Sequence, residues 1–136
     1  MPTPTHHPLE YFILPIMDGK AQVAIIALLV LAVLDVLFGC VNAMVQRKFS
    51  SHEFRAGLIR KLSNLGMVIA ADVIDAMLLS GLDLGWQPVL MTVTVSLALM
   101  ELWSLLEIFA EMHPEISDAD WYKMLRRSKD GLNKEG

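Results

Sequence analysis

The sequence predicts an all-α integral membrane protein with three transmembrane helices and short interfacial helices, and two observations support this. The 136 residues are 54% hydrophobic and 19% charged, with a mean hydropathy of +0.49, which is too apolar for a soluble domain of this size. The apolar residues are also gathered into three segments of about 20 residues, a length that crosses the bilayer as a helix. These segments fill most of the chain, so we expect a single membrane domain over residues 1–136.

The predicted spans are residues 21–41, 62–80 and 86–110. In the first, Gln22 is the only polar residue before Asp35, so this helix lacks the polar face that a soluble helical bundle requires. The soluble alternative is favoured only by carboxylates such as Asp72 and Asp75 in the second segment, because each costs about 2.5–3.5 kcal/mol on insertion scales. The length and apolarity of the three segments together favour the membrane.

The N-terminal segment before the first span is expected to lie at the membrane surface. Residues 9–17 are too short to span, and we expect Pro15 to break a helix there. Tyr11 and Phe12 are then interfacial anchors. No Lys or Arg precedes Leu9, so the basic start of a cleavable signal peptide is not predicted.

Two further helices are predicted outside the spans. Ser50 and Glu53 have capping-box spacing, which predicts a helix from about Ser51 that runs straight into the second span. In the C-terminal tail, residues 111–136, Ser117 and Asp120 can cap a short amphipathic helix. Its apolar side would carry Trp121, Met124 and Leu125. Such a helix is typical of an interfacial segment, and a frayed polar tail is the alternative.

The distribution of Lys and Arg predicts the orientation. One precedes the first span, five lie in the first connection, none lies in the turn 81–88, and five follow the third span. By the positive-inside rule, the N-terminus is outside and the C-terminus lies in the cytoplasm. The basic clusters are therefore interpreted as cytoplasmic flanks and not as a nucleic-acid interface.

Polar side chains within the spans fall along one face of each predicted helix, at spacings of three and four residues. These stripes are Asp35, Gly39, Asn42 and Gln46 in the first span; Lys61, Asn64, Asp72 and Asp75 in the second, with Val68 in the missing step; and Thr94, Glu101, Ser104 and, less well aligned, Glu107 in the third. Ionisable residues at membrane depth usually face a bundle interior or a water-filled cavity, so the stripes predict pore-lining residues in a homo-oligomer with a wettable interior.

Each acid also has a plainer interpretation, as a buried carboxyl that is hydrogen-bonded or protonated and only fixes helix packing. Lys61 is the nearest stripe base to five acids, so we expect one bundle to neutralise them incompletely. Small residues near the stripes, Gly39 with Ala43 and Gly66 with Ala70, have the small-xxx-small spacing of helix-packing positions in membranes.

No catalytic, cofactor or metal site is predicted. The four histidines, His6, His7, His52 and His113, lie in flanking segments without triad or ligand spacing. Cys40 is the only cysteine, so it forms no internal disulfide and has no partner for a zinc site. The sequence thus indicates a protein that is not an enzyme.

Several segments, in order along the chain, resemble the phage-lysis and toxin-secretion holins of the phage holin family 4 type. They are DVLFGCVNA at Asp35–Ala43, Ser51 with GLIRKL at Gly57–Leu62, an Asp in the second span, and ELWSLLE at Glu101–Glu107 followed by Pro114. The chain departs from the family pattern at Phe38, where Thr is frequent, and at Ile108, where Asn is frequent.

The resemblance implies a non-enzymatic protein that accumulates in the cytoplasmic membrane, oligomerises and opens a pore or lesion that releases an endolysin or toxin. Two alternatives stay open from the residues themselves. One is a small ion or proton channel or transporter subunit that uses Asp72 and Asp75. The other is a membrane scaffold that recruits a partner through the basic first connection.

Overall fold

A computed structural model describes residues 7–82 and 87–135. Within these residues the helices are α1 Glu10–Met17, α2 Gly19–Val45, α3 Ser51–Leu82, α4 Pro88–Met112, α5 Pro114–Asp118 and α6 Asp120–Lys134. Helices α2, α3 and α4 are long and apolar enough to cross a membrane, and their most apolar stretches have mean hydropathies of 2.9, 1.8 and 1.9. The prediction of an all-α protein with three spanning helices is confirmed. Trp86, the first residue of the predicted third span, lies outside the described residues.

The long helices extend beyond the predicted spans. At 1.5 Å per residue, the 32 residues of α3 measure about 48 Å, well beyond the roughly 30 Å hydrocarbon core. Helix α3 begins at Ser51, as predicted, and the Ser50 carbonyl accepts the first backbone hydrogen bond from Phe54 at 3.0 Å. Helix α4 begins with Pro88, which is favoured there because the first helical N–H has no partner within the helix.

Helix α4 is the centre of the bundle. It packs extensively against α2 and also against α3, whereas α2 and α3 touch each other little. The buried core residues come from all three helices: Ala21, Leu28, Val68, Ala71, Leu90 and Leu97. Only 6% of the most apolar stretch of α2 is fully buried, and 13 of the 27 residues of the helix are exposed and available to contact lipid or another protein.

The expectation that Pro15 breaks a helix was wrong, because α1 continues from Glu10 to Met17 with Pro15 inside it. Pro15 lies in the last turn, where its ring is buried and only one backbone hydrogen bond within the helix is lost. Helix α1 packs against α3 and, less, against α2. This packing holds the N-terminal segment against the bundle.

The C-terminal tail is helical over α6, but its predicted caps were wrong. Ser117 lies in α5, where its hydroxyl donates to the Pro114 carbonyl at 2.8 Å, and Asp120 is the first residue of α6. Helix α6 folds back onto α4: the buried Tyr122 stacks on Trp103 with ring centroids 6.1 Å apart. Helix formation rules out a frayed tail over these residues, and the location of α6 at a membrane surface stays a prediction.

Candidate functional site: a polar network between the helices

The centre of the polar network is one lysine shared between three helices. Lys61 of α3 forms an ion pair with Asp35 of α2, Nζ to Oδ2 at 2.8 Å, and a second ion pair with Glu101 of α4. Asn64, one turn further along α3, donates a hydrogen bond to Glu101 Oε1 at 3.3 Å. We call these four residues the Lys61 cluster. It brings together one member or more of each predicted stripe.

The cluster is shielded from solvent but not electrically neutral. The side chains of Lys61, Asp35 and Glu101 are 16%, 13% and 6% exposed. Two ionised carboxylates share one ammonium group, so the cluster carries a net charge of −1 when all three groups are ionised. Asp35 Oδ1 is buried and has no hydrogen-bond partner among the described residues. A charged group that shares its partner is only partly compensated for its loss of hydration.

Asp75 lies at the other end of the bundle, where it contacts the backbone of α4. Its carboxylate is fully buried and accepts hydrogen bonds from the backbone N–H groups of Val89 and Leu90, at 3.2 and 2.6 Å. These N–H groups belong to the first turn of α4, which has no partners of its own within the helix. The positive end of the helix dipole also favours a carboxylate at this place. Asp75 thus joins α3 to the start of α4.

Asp72 and Thr94 are buried close to this end of the bundle without full hydrogen bonding. Asp72 is 7% exposed and Thr94 is 1% exposed. Asp72 Oδ1 and Thr94 Oγ1 have no hydrogen-bond partner among the described residues. A buried polar atom without a partner loses about 1–3 kcal/mol relative to hydration.

Beyond the cluster, side chains of the first stripe are linked by two further hydrogen bonds. Asn42 donates from Nδ2 to Glu111 Oε2 at 2.7 Å, and Gln46 donates to Asn42 Oδ1 at 3.0 Å. Our sequence reasoning missed Glu111. Its position four residues after Glu107 on the same face of α4 was the signal that could have identified it.

Ser104 and Glu107, which were predicted on the third stripe, have different neighbours. Ser104 lines a small cleft of about 140 Å³ beside Lys61 and Glu101. Glu107 is exposed and turns towards α6, where it accepts hydrogen bonds from Trp103 Nε1 at 2.8 Å and from Lys129 Nζ at 3.0 Å. Glu107 is therefore separate from the Lys61 cluster in this conformation, because α6 supplies it with partners.

The two small-residue pairs occupy different surroundings. A Cβ atom on Gly39 would lie 3.8 Å from Ile108 Cδ1, so Gly39 lies at the contact between α2 and α4. Phe38 packs beside it, with its ring centroid 4.9 Å from that of Phe109. The departures from the family pattern at Phe38 and Ile108 are thus apolar contacts between the same two helices. Gly66 is exposed, with nothing within 4 Å of an added Cβ, and Ala70 is exposed as well.

The chemistry of the network is electrostatic. Over residues 7–82 and 87–135, no group of three or more His, Cys, Asp or Glu side chains is placed to hold a metal ion. What the side chains share is charge and hydrogen bonding between helices, which leaves one oxygen each of Asp35, Asp72 and Thr94 without a partner among the described residues. The same side chains could be satisfied by water if the helices separated.

The bacteriophage holin family model matches residues 13–119 of the chain. No curated protein and no solved structure matches the chain. The matched region contains α2, α3 and α4 complete, together with the Lys61 cluster and Asp75, whereas α6 lies beyond it.

Proposed function

The chain belongs to the bacteriophage holin family, and from this membership we propose that it accumulates in the cytoplasmic membrane of a bacterial host and assembles into a pore or lesion. The lesion releases an endolysin or a toxin towards the cell wall. In this function the protein is not an enzyme. Its N-terminus lies outside and its C-terminus lies in the cytoplasm, as the Lys and Arg distribution predicts.

The observation that carries this proposal is the pairing of the stripes inside a single bundle. A charged side chain at the centre of a bilayer costs about 2.5–3.5 kcal/mol on insertion scales. The Lys61 cluster lowers this cost by joining Asp35 to Glu101 through one cation. A closed bundle can therefore collect in the membrane without letting water in.

Opening follows from the same residues. When neighbouring copies make contacts that replace those within a bundle, the stripes turn away from each other and line a water-filled lesion. Water then takes the place of the ion pairs of Lys61 and hydrates the unpaired oxygens of Asp35 and Asp72. The incomplete pairing favours this step, because the closed state leaves polar atoms that water can satisfy.

The surface available for assembly is also apolar and includes residues with small side chains. About half of the residues of α2 are exposed in a single chain. The exposed pair Gly66 and Ala70 on α3 permits close approach of another helix. These features support a homo-oligomer in the bilayer.

Cysteine labelling tests the proposal. In a Cys40→Ala background, Asn64→Cys and Ser104→Cys place a thiol on the stripes, and Ile69→Cys and Leu102→Cys place one at exposed apolar positions of the same helices. A membrane-impermeant thiol reagent is applied before and after lysis begins. We expect the stripe positions to react only after lysis and the apolar positions to react at neither time. Stripe cysteines that stay unreactive in lysed cells would refute the proposed lining.

A second function is favoured by one observation, the buried and unpaired oxygens of Asp72 and Thr94. An ion or proton channel could use such a site. Expression would then cause selective ion flux without release of cytoplasmic protein. Leakage of a cytoplasmic reporter enzyme at the moment of growth arrest distinguishes the lesion from such a channel.

A further inference from the structure

A crevice lies between α6 and the neighbouring faces of α3 and α4. Its volume is about 620 Å³. The apolar part of its lining includes Leu99, Met100 and Leu132, which are 61%, 64% and 71% exposed. Leu99 and Met100 lie within the predicted third span and Leu132 lies in α6, and exposed apolar surface of this kind is suited to an apolar occupant.

Two cations line the same crevice, and their partners differ. Lys129 of α6 pairs with Glu107 at 3.0 Å, and its Nζ lies 4.9 Å from the centroid of the Trp103 ring. Arg60 of α3 has no carboxylate within salt-bridge distance among the described residues. The crevice therefore has an apolar wall and one guanidinium that forms no ion pair among the described residues.

We propose that this crevice binds one anionic phospholipid from the leaflet nearer the N-terminus of α3. The headgroup phosphate binds the Arg60 guanidinium, and an acyl chain lies along Leu99, Met100 and Leu132. A guanidinium offers a planar pair of donors that matches phosphate oxygens. Basic pockets between membrane helices are known to favour anionic headgroups. A free phosphate ion would leave the apolar wall uncovered.

The site joins two parts of the chain that otherwise have few contacts. Arg60 belongs to the bundle, whereas Leu132 belongs to α6. A lipid bound between them holds α6 beside α4, next to the stacked pair of Trp103 and Tyr122. This binding is independent of lesion formation, so it can be measured with protein that never opens a lesion.

Fluorescence quenching of Trp103, which lines the crevice, tests the site. The full-length Trp86→Phe/Trp121→Phe protein keeps Trp103 as its only tryptophan and is reconstituted in phosphatidylcholine vesicles. Brominated phosphatidylglycerol or brominated phosphatidylcholine is then added in small fractions. We expect phosphatidylglycerol to bind near Trp103 about fivefold more strongly, the preference that one basic residue provides.

Variants of Arg60 separate a specific site from general attraction. Arg60→Gln should reduce the preference to near equality, while Arg60→Lys should keep most of it and show that the bundle is intact. Arg55→Gln is the matched control, because Arg55 is exposed on the same helix but does not line the crevice. It should keep the full preference.

Four results would overturn the proposal. The first three are equal quenching by the two lipids, equal loss of the preference in the Arg55→Gln and Arg60→Gln proteins, and loss of the preference when inorganic phosphate is added. The first two leave no lipid site at Arg60, and the third identifies a site for free anions. The fourth is absence of quenching by either lipid, which means that protein, such as a second copy, fills the crevice.

Discussion

Replacement of Lys61 by Gln should make the closed bundle open early. The substitution keeps most of the side-chain length but removes the only cation of the Lys61 cluster. Asp35 and Glu101 then face the bundle interior without an ammonium group between them. Because water can hydrate these carboxylates only when the helices separate, the change raises the free energy of the closed state.

The size of the effect follows from the exposure of the three side chains. Removing one partner of a buried ion pair costs about 3–5 kcal/mol, whereas an exposed pair contributes about 0–1 kcal/mol. The side chains of Lys61, Asp35 and Glu101 are 16%, 13% and 6% exposed. We therefore expect the free energy of the closed state to rise by about 2–3 kcal/mol, closer to the buried limit. Since 1.4 kcal/mol is a tenfold change, the ratio of open to closed protein should rise by about 30- to 150-fold.

The assay is inducible expression in bacteria, with membrane protein matched by immunoblotting. The measurements are the time from induction to the abrupt fall in optical density and the release of a cytoplasmic reporter enzyme. Lys129→Gln is the control, because its ion pair with Glu107 has side chains that are 44% and 49% exposed. Its lysis time should change little.

Equal lysis times for the Lys61→Gln and Lys129→Gln proteins, or later lysis for Lys61→Gln at equal protein amounts, would refute this reasoning. A triple variant, Asp35→Asn/Lys61→Gln/Glu101→Gln, separates charge from packing. It leaves no unpaired charge in the cluster, so lysis should return to the late time or be delayed further. Early lysis by the triple variant would assign the effect to packing.

Two further substitution pairs test the packing of the closed bundle, with the thermal unfolding midpoint of the protein in detergent as the measurement. Asp75→Ala should lower the midpoint, because the first turn of α4 loses its hydrogen-bond acceptor. The free energy of unfolding should fall by at least about 1 kcal/mol. Asp72→Asn should leave the midpoint unchanged or raise it, because Asp72 Oδ1 accepts no hydrogen bond. A larger fall in the midpoint for Asp72→Asn than for Asp75→Ala would contradict the roles given to these two carboxylates. Gly39→Leu should also lower the midpoint by separating α2 from α4, whereas Gly66→Leu should preserve it and reduce cross-linking between copies. Unchanged cross-linking in the Gly66→Leu protein would exclude that surface from assembly.

Hydropathy made the three spanning helices predictable, because length and apolarity are properties of each segment alone. The periodicity of polar residues also placed Asp35, Lys61 and Glu101 on stripes. Their meeting at one ammonium group depends on the relative depth of three helices, which a single sequence does not contain. The same limitation explains Asp75, whose role requires knowledge of where α4 begins beside α3.

Other differences arise where tertiary contacts decide the outcome. Glu107 was assigned to the third stripe by its spacing, but the return of α6 provides Lys129 as a partner. The helix around Pro15 persists because packing against the bundle adds to the few hydrogen bonds of a short helix. In both regions a distant part of the chain outweighs the local preference.

The central position of α4 has a consequence for biosynthesis. Among the three spanning helices it is translated last, and it provides Leu90 and Leu97 to a core that α2 and α3 do not form by themselves. When only α1 to α3 have left the ribosome, Asp35 can pair with Lys61 and α1 can pack against α3, but α2 and α3 share almost no interface. We therefore expect prematurely terminated chains to remain loose in the bilayer and to be removed by proteases, so that only copies translated through α4 accumulate.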